Sequence, residues 1–349
     1  MVKRKKKEIE KKVIPQTKDE KLAMFKELAR GQNKKAGEAV ITFGSDMVNT
    51  TKTPTGVPEI DELLGGGIPN GRIITVWGDK GAAKTTLALN YVASCQKAGK
   101  VCYYIALEKL DKERAEELGV NLNELMIGQF PKAELCLDSI IEYAEAQAVD
   151  VIILDSIHSL SPEGEQVDKN GKKKSLSDDT MALLARKLSM FFRQANHPLA
   201  KAGITLFLIG QTRTSLGFIA LDTLTGGNAL KHYSKLILHM RHGQGKNAPK
   251  KQIEDENGDG ETVKIGFECV VKIDKTQIAG TKMELTETRF PFYYNGGFFQ
   301  KEEPKFDTVG EAETLIKSDG SIVPIETAKE SDIIKPIKKG RGRPKKENK

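Results

Sequence analysis

The sequence predicts an α/β fold: a mostly parallel central sheet covered by helices on both faces, with antiparallel strands extending one edge. Three observations predict it. Short apolar runs alternate with helical patterns between residues 72 and 211, as buried parallel strands require. A glycine- and lysine-bearing loop, "GDKGAAKTT" (78–86), stands at the first strand-to-helix junction. After residue 230 the chain becomes strand-rich, with "KLILHMRH", "VKIGFECVVKID" and "MELTETRFPFYYNGGFF".

Taken in order, residues 1 to 17 read as a disordered basic start. "TKDEKLAMFKELARG" places Leu22, Phe25 and Leu28 at helical spacing behind a Thr-x-x-Glu start, so a helix is expected over 18–30, closed by Gly31. A linker follows to about residue 55. "RIITVWG" (72–78) is a buried strand and Lys84 to Ala98 a helix. "VCYYIAL" (101–107) is a strand, followed by a short helix at "KERAEELG". Residues 133 to 147 form an amphipathic helix with Leu137, Ile140, Ile141 and Ala144 on one face. "VDVIILD" (149–155) is a strand, 178–196 a long helix and "ITLFLIGQ" (204–211) another strand. "GQGKNAPKKQIEDENGDGE" is a polar segment suited to a hairpin tip; its "DENGDG" lacks the spacing and terminal Glu of a calcium loop. From residue 301 the chain is Lys-, Glu- and Pro-rich and reads as disordered towards its end. The expected organisation is a basic N-terminus and helical arm (1–50), a core (51–300) and a short C-terminal region with a basic tail (301–349).

Composition narrows the class. Hydrophobic residues are 38% and charged residues 30% of 349, which fits a globular chain with solvated segments. No apolar run is long enough for a transmembrane helix, so no membrane partner is expected. The four cysteines, Cys95, Cys102, Cys136 and Cys269, form no C-x-x-C pair; buried free thiols are expected rather than a zinc site or disulfides. The net charge of +7 sits at the ends: residues 335–349 carry +7 and residues 1–12 carry +5, which leaves the body at −5. Basic ends of this kind suit a polyanion.

The loop at 78–86 carries the chemistry. Phosphate-binding loops follow G-x-x-x-x-G-K-[ST] between a strand and a helix, so that backbone N–H groups and the helix N-terminus converge on the phosphates. Gly78, Lys84 and Thr85 fit; Asp79, Lys80, Gly81, Ala82 and Thr86 complete the loop. Lys84 is placed to reach the β/γ-phosphates and Thr85 to offer its hydroxyl to Mg²⁺. Ala83 stands where glycine is usual. If its φ is negative, as at a helix entrance, alanine is tolerated; if positive, alanine costs about 1 kcal/mol or more. Asp155 ends an apolar strand and fits a Walker B carboxylate for Mg²⁺. Glu108, at the end of "VCYYIAL" and one strand over from the phosphate loop, can orient or deprotonate an attacking water. Gln211 ends a further strand, where an amide can sense the γ-phosphate. Ligands of open α/β sheets bind at such carboxyl ends.

Together these residues resemble the RecA family of recombination ATPases in its bacterial and phage branch, with a P-loop NTPase core. The likeness runs from about residue 20 to 300 and includes "TGVPEIDELLGGGIPNGRIITVWG", "AVDVIILDSIHSLSPEGE", "IGQTRTSLG" and "TGGNALKHYSKLILHMR". The resemblance implies that Glu108 is the catalytic glutamate and that Gln211 couples the γ-phosphate to a DNA-binding loop. Asp111 matches an acid near the adenine, and Arg114 stands where the family has a stacking tyrosine. Lys272 and Lys275 match two lysines that reach a neighbouring subunit's ATP, although they are three apart where the family has two. Two loops imply single-stranded DNA contacts. One enters a helix with Met181, Arg186, Ser189 and Arg193; the other runs from Arg213 through Leu216 to Gly226, Gly227 and Asn228. The tail "GRGRPKK" resembles an AT-hook, with Arg341 and Arg343 suited to an A·T minor groove.

The implied function is a DNA-dependent ATPase that uses ATP and Mg²⁺, assembles as a homo-oligomeric helical filament on single-stranded DNA and pairs it with double-stranded DNA in strand exchange. Two other readings share these residues: an accessory DNA-binding paralogue with weak hydrolysis, and a RecA-fold hexameric helicase. The expected location is the cytoplasm of a bacterium or phage-infected cell, with "KRKKK" leaving a nuclear signal open.

Overall fold

The computed structural model describes residues 16–46, 50–166, 183–214, 222–224, 227–245, 248–254, 260–281 and 286–299, and two short strands beyond them. The chain divides into two units, Met1–Phe299 and Gln300–Lys349. In the second unit the described residues are an antiparallel pair of strands, Thr314–Ile316 with Ile322–Pro324.

The first unit begins with α1 (Lys18–Ala36), then β1 (Lys52–Thr53), α2 (Pro58–Leu64), β2 (Ile68–Pro69), β3 (Ile73–Gly78), α3 (Lys84–Lys97), β4 (Cys102–Ala106), α4 (Lys112–Glu117) and β5 (Leu125–Gly128). It continues with α5 (Ala133–Glu145), β6 (Val151–Asp155), α6 (Glu163–Gln166), α7 (Leu183–Ala202), β7 (Thr205–Ile209), β8 (Thr212–Thr214), β9 (Asp222–Leu224) and α8 (Gly227–Tyr233). The last elements are β10 (Leu236–His242), β11 (Lys250–Glu254), β12 (Gly260–Lys264), β13 (Gly266–Thr276) and β14 (Glu287–Tyr293).

Eight strands form the central sheet in the order β14-β13-β10-β3-β7-β6-β4-β5. Six of them, β10 through β5, are parallel. β13 and β14 extend the β10 edge antiparallel. The "KLILHMRH" strand is thus the last parallel strand, not the first antiparallel one: β10 pairs parallel with β3. The polar segment after it forms the hairpin β11–β12.

Strand residues alternate between two cores, as the pleat dictates. Ile74, Val76, Tyr104, Ile153, Phe207 and Leu238 pack with Leu87 and Tyr91 of α3. Ile73, Ile105, Ile152, Leu154, Leu206 and Leu208 pack with Ile140 of α5 and Phe192 of α7. Each such buried side chain contributes about 1.5–3 kcal/mol relative to exposure. The four cysteines are buried free thiols, and no described helix is long and apolar enough to cross a membrane.

Three elements differ from the sequence expectation. α1 keeps its capping box, Thr17 with Glu20, but passes through Gly31 and ends at Gly37 with φ 71°. A glycine inside a helix costs only about 1 kcal/mol, whereas the left-handed terminus at 37 suits glycine. The long helix begins its described part at Leu183 and continues through Pro198 to Ala202; residues 178–182 lie outside the described residues. Within the second DNA-loop segment, β8 and β9 pair as an antiparallel ribbon.

Candidate nucleotide-binding site

β3 is buried along its length and delivers Gly78 to the carboxyl edge of the sheet. Gly78 has φ 145°, and a Cβ there would lie 1.7 Å from the Met240 carbonyl oxygen on β10. Only glycine allows the loop to leave the sheet at that point. Asp79 N–H donates to the same carbonyl at 3.2 Å, and α3 begins at Lys84. Lys84 is buried; its ammonium donates to the carbonyls of Gly78 at 2.9 Å and Asp79 at 2.5 Å. Burial lowers its pKa, opposed by the charges of Asp155, Asp79 and Glu108.

Ala83 adopts φ 64°, ψ 22°. The negative φ that would make alanine harmless at a helix entrance is not found. The left-handed region places Cβ against the following carbonyl and costs roughly 1–2 kcal/mol for a non-glycine residue.

Asp155, at the end of β6, is buried and accepts two hydrogen bonds on Oδ2, from Thr85 Oγ1 at 2.7 Å and Tyr104 OH at 2.8 Å. Burial raises its pKa, the Thr85 and Tyr104 bonds oppose the shift, Glu108 adds to it and Lys84 opposes it. No cluster of three His, Cys, Asp or Glu that could hold a metal exists among the described residues. One carboxylate and one hydroxyl instead fit Mg²⁺, a hard cation that takes few protein oxygens and completes its shell with phosphates and water.

Glu108 stands two residues beyond β4, which is three strands over from β3 rather than one, because β7 and β6 lie between them. Its Oε1 accepts from Ser159 Oγ at 3.1 Å, with Ser156 Oγ 3.4 Å and His158 Nε2 3.5 Å away. Gln211 follows β7 and leads straight into β8, where Thr212 Oγ1 donates to Asp79 Oδ1 at 3.4 Å. One cavity of about 280 Å³ is lined by Lys84, Thr85, Glu108, Asp155, Gln211 and, from β14, Phe292. Lys80, Gly81, Ala83 and Thr86 complete its loop side.

Other candidates stand elsewhere. Asp111 is the N-cap of α4 and accepts from Arg114 N–H at 3.2 Å. Arg114 donates to Glu117 at 3.2 Å and to the Asn295 carbonyl at 3.3 Å, and neither Asp111 nor Arg114 lines the cavity. Lys272 and Lys275 lie on β13, antiparallel to β10. Lys275 pairs in register with Ile237, at the end of β10 away from the loop, and donates to the carbonyls of Lys231 and His232 at 2.6 and 3.2 Å. Burial, then Lys235, lowers its pKa. Arg186 and Arg193 are exposed on α7, with Ser189 half-buried between them. Arg213 is in β8, Gly227 opens α8 and Asn228 is exposed on it. Met181, Leu216, Gly226, Arg341 and Arg343 lie outside the described residues.

Sequence reasoning did not single out Tyr104, Ser159, His158 or Phe292. Tyr104 and Phe292 read as ordinary strand aromatics; only the "DSIHS" run, with its polar residues directly after Asp155, carried a usable signal.

Residues 23–297 match the RecA N-terminal domain. The chain is 34% identical to Protein RecA of Colwellia psychrerythraea over 267 residues, covering 75% of this chain and 72% of that one. It is 34% identical to Protein RecA of Porphyromonas gingivalis over 273 residues, covering 76% and 75%. It is 38% identical to Protein RecA of Campylobacter jejuni over 216 residues, covering 60% of each. The chain thus spans about three-fifths to three-quarters of the length of these relatives.

Proposed function

This chain belongs to the RecA family, whose members bind ATP and DNA in recombination and repair, and we propose that it is a DNA-dependent ATPase that assembles on single-stranded DNA and carries out homologous pairing and strand exchange. The observation that carries this reading is the convergence of Lys84, Thr85, Glu108, Asp155 and Gln211 on one cavity, with Gln211 continuous with the β8–β9 ribbon.

In this reading Lys84 turns from the loop carbonyls to the β/γ-phosphates, and the backbone N–H groups of Lys80, Gly81 and residues 83–85 cradle them. Thr85 and Asp155 hold Mg²⁺, which when bound neutralises charge on the phosphates. Glu108 accepts the proton of the attacking water. Gln211 senses the γ-phosphate and passes its presence to the ribbon and α8, where Arg213, Gly227 and Asn228 meet the DNA backbone. Met181 and Leu216 act as apolar wedges between bases, Arg186, Ser189 and Arg193 line the same path, and the Arg341–Arg343 tail engages duplex DNA.

Two surfaces support assembly between copies. α1 has no buried residue and exposes Leu22, Phe25 and Leu28. β5 is an edge strand that exposes Met126 and Ile127. Contacts between unlike surfaces propagate into a helical filament when the rotation does not close. Lys272 and Lys275, the second of them at the end of β10 away from its own chain's loop, then act on the ATP of the adjacent copy, and Asp111 and Arg114 flank the base of the ATP held by their own chain.

Electron microscopy of the full chain with single-stranded DNA and a slowly hydrolysed ATP analogue tests this reading. Helical filaments are expected, together with D-loop formation on supercoiled duplex; closed rings support a helicase motor instead. The left-handed Ala83 favours a second reading, an accessory DNA-binding member with weak hydrolysis. That reading predicts filaments without D-loops.

A further inference from the structure

The Glu108 side chain is 60% exposed. A glutamate in that setting samples several rotamers and loses conformational freedom when fixed. Here one of its oxygens is already held. Ser159 Oγ donates to Oε1 at 3.1 Å, Ser156 Oγ lies at 3.4 Å and His158 Nε2 at 3.5 Å. Among the described residues no group engages Oε2. All three partners come from the short turn Ile157–Ser159 and the residue before it. Ser156 Oγ also bonds His158 Nδ1 at 2.7 Å. With Ser156 donating, the neutral ring carries its proton on Nε2, the nitrogen that faces Glu108.

We infer that His158 and Ser159 are positioning residues that hold Glu108 Oε1, so that Oε2 is presented to the attacking water. This inference rests on the ATPase reading above. The turn follows Asp155 directly, so the carboxylate placed for the metal and the carboxylate placed for the water are registered by one piece of backbone. Displacement of a reacting group by about 1 Å can cost on the order of 100-fold in rate. A cradle of this kind therefore acts on turnover and leaves nucleotide affinity alone, because neither His158 nor Ser159 lines the cavity.

The test is steady-state ATP hydrolysis at saturating single-stranded DNA, with nucleotide affinity measured separately by a fluorescent ATP analogue. His158→Ala and Ser159→Ala are each expected to lower kcat by roughly tenfold with KM and analogue affinity unchanged. His158→Gln and Ser159→Thr, which keep a donor, are expected to recover most of the loss. Undiminished kcat in both alanine variants overturns the inference, as does a loss shared by KM and analogue affinity that the conservative variants do not rescue. Absence of hydrolysis in the unmodified chain overturns the ATPase reading and this inference with it.

Discussion

Thr85 donates to Asp155 Oδ2 across 2.7 Å, and Tyr104 donates to the same oxygen across 2.8 Å. The first bond joins the phosphate loop to β6; the second fixes the carboxylate from the neighbouring strand. Tyr104 is fully buried. Tyr104→Phe removes a hydrogen bond to a buried carboxylate and is expected to destabilise the fold by about 1–3 kcal/mol. It is also expected to weaken Mg²⁺-dependent nucleotide binding roughly tenfold, as loss of an outer partner of a metal ligand does. Denaturant unfolding and calorimetric titration with Mg²⁺-ADP check both; unchanged nucleotide affinity would show that Asp155 needs no support from β4.

Ala83 in the left-handed region makes a clear stability prediction. Ala83→Gly relieves roughly 1–2 kcal/mol of native strain and gives back about 0.4–1 kcal/mol through the freer unfolded chain. The net expectation, at the middle of those ranges, is a stabilisation of about 0.8 kcal/mol, or roughly 2–3 °C in Tm for a domain of this size. Differential scanning calorimetry decides the matter, and a lowered Tm contradicts the assigned backbone conformation.

How far the sequence reached depends on the range of the interaction involved. β3, β6 and β7 are local apolar runs punctuated by Gly78, Asp155 and Gln211, so both the strands and their terminal side chains could be read directly. The loop lysine and threonine followed from the same local pattern. The φ of Ala83 could not, because the packing of the loop between β3, β10 and α3 sets it. The Tyr104–Asp155 bond spans 51 positions, and an aromatic on a buried strand carries no mark of where its hydroxyl points. The β8–β9 ribbon escaped notice because "TRTSLGFIALDTL" lacks a clean two-residue alternation. Gly31 marks a helix end on propensity alone, but α1 continues beyond it to Ala36 and overrides that local preference.

The buried thiols give a pH prediction. Burial pushes both Cys136 and Cys269 up to about 12 from an ordinary 9. These groups favour the native state fully below pH 9. Between pH 9 and 12 the unfolded chain sheds these protons while the native chain keeps them, so stability falls as pH rises through that window. An aromatic disulfide reagent at pH 8 should find no rapidly reacting thiol in the native chain and all four cysteines in denaturant. Fast native reaction at any of the four contradicts the packing.

Lys275 is expected to act between copies. Lys275→Ala loses bonds to two α8 carbonyls, at a cost of about 1 kcal/mol, and should leave nucleotide binding by the isolated chain intact. DNA-dependent hydrolysis should fall sharply. Mixing this variant with Glu108→Gln should restore part of the turnover, since some adjacent pairs then combine an intact Glu108 with an intact Lys275. No recovery on mixing places Lys275 outside the neighbouring site.

In the proposed function Glu108 acts on ATP in the cavity it shares with Lys84 and Asp155, under the control of DNA bound through the segment that follows Gln211. Steady-state ATP hydrolysis with and without single-stranded DNA, in the unmodified chain and in Glu108→Gln, tests it most directly. Hydrolysis is expected to rise at least about tenfold with DNA and to fall at least about 100-fold in Glu108→Gln, as befits a general base. Hydrolysis indifferent to DNA, or undiminished in Glu108→Gln, contradicts it.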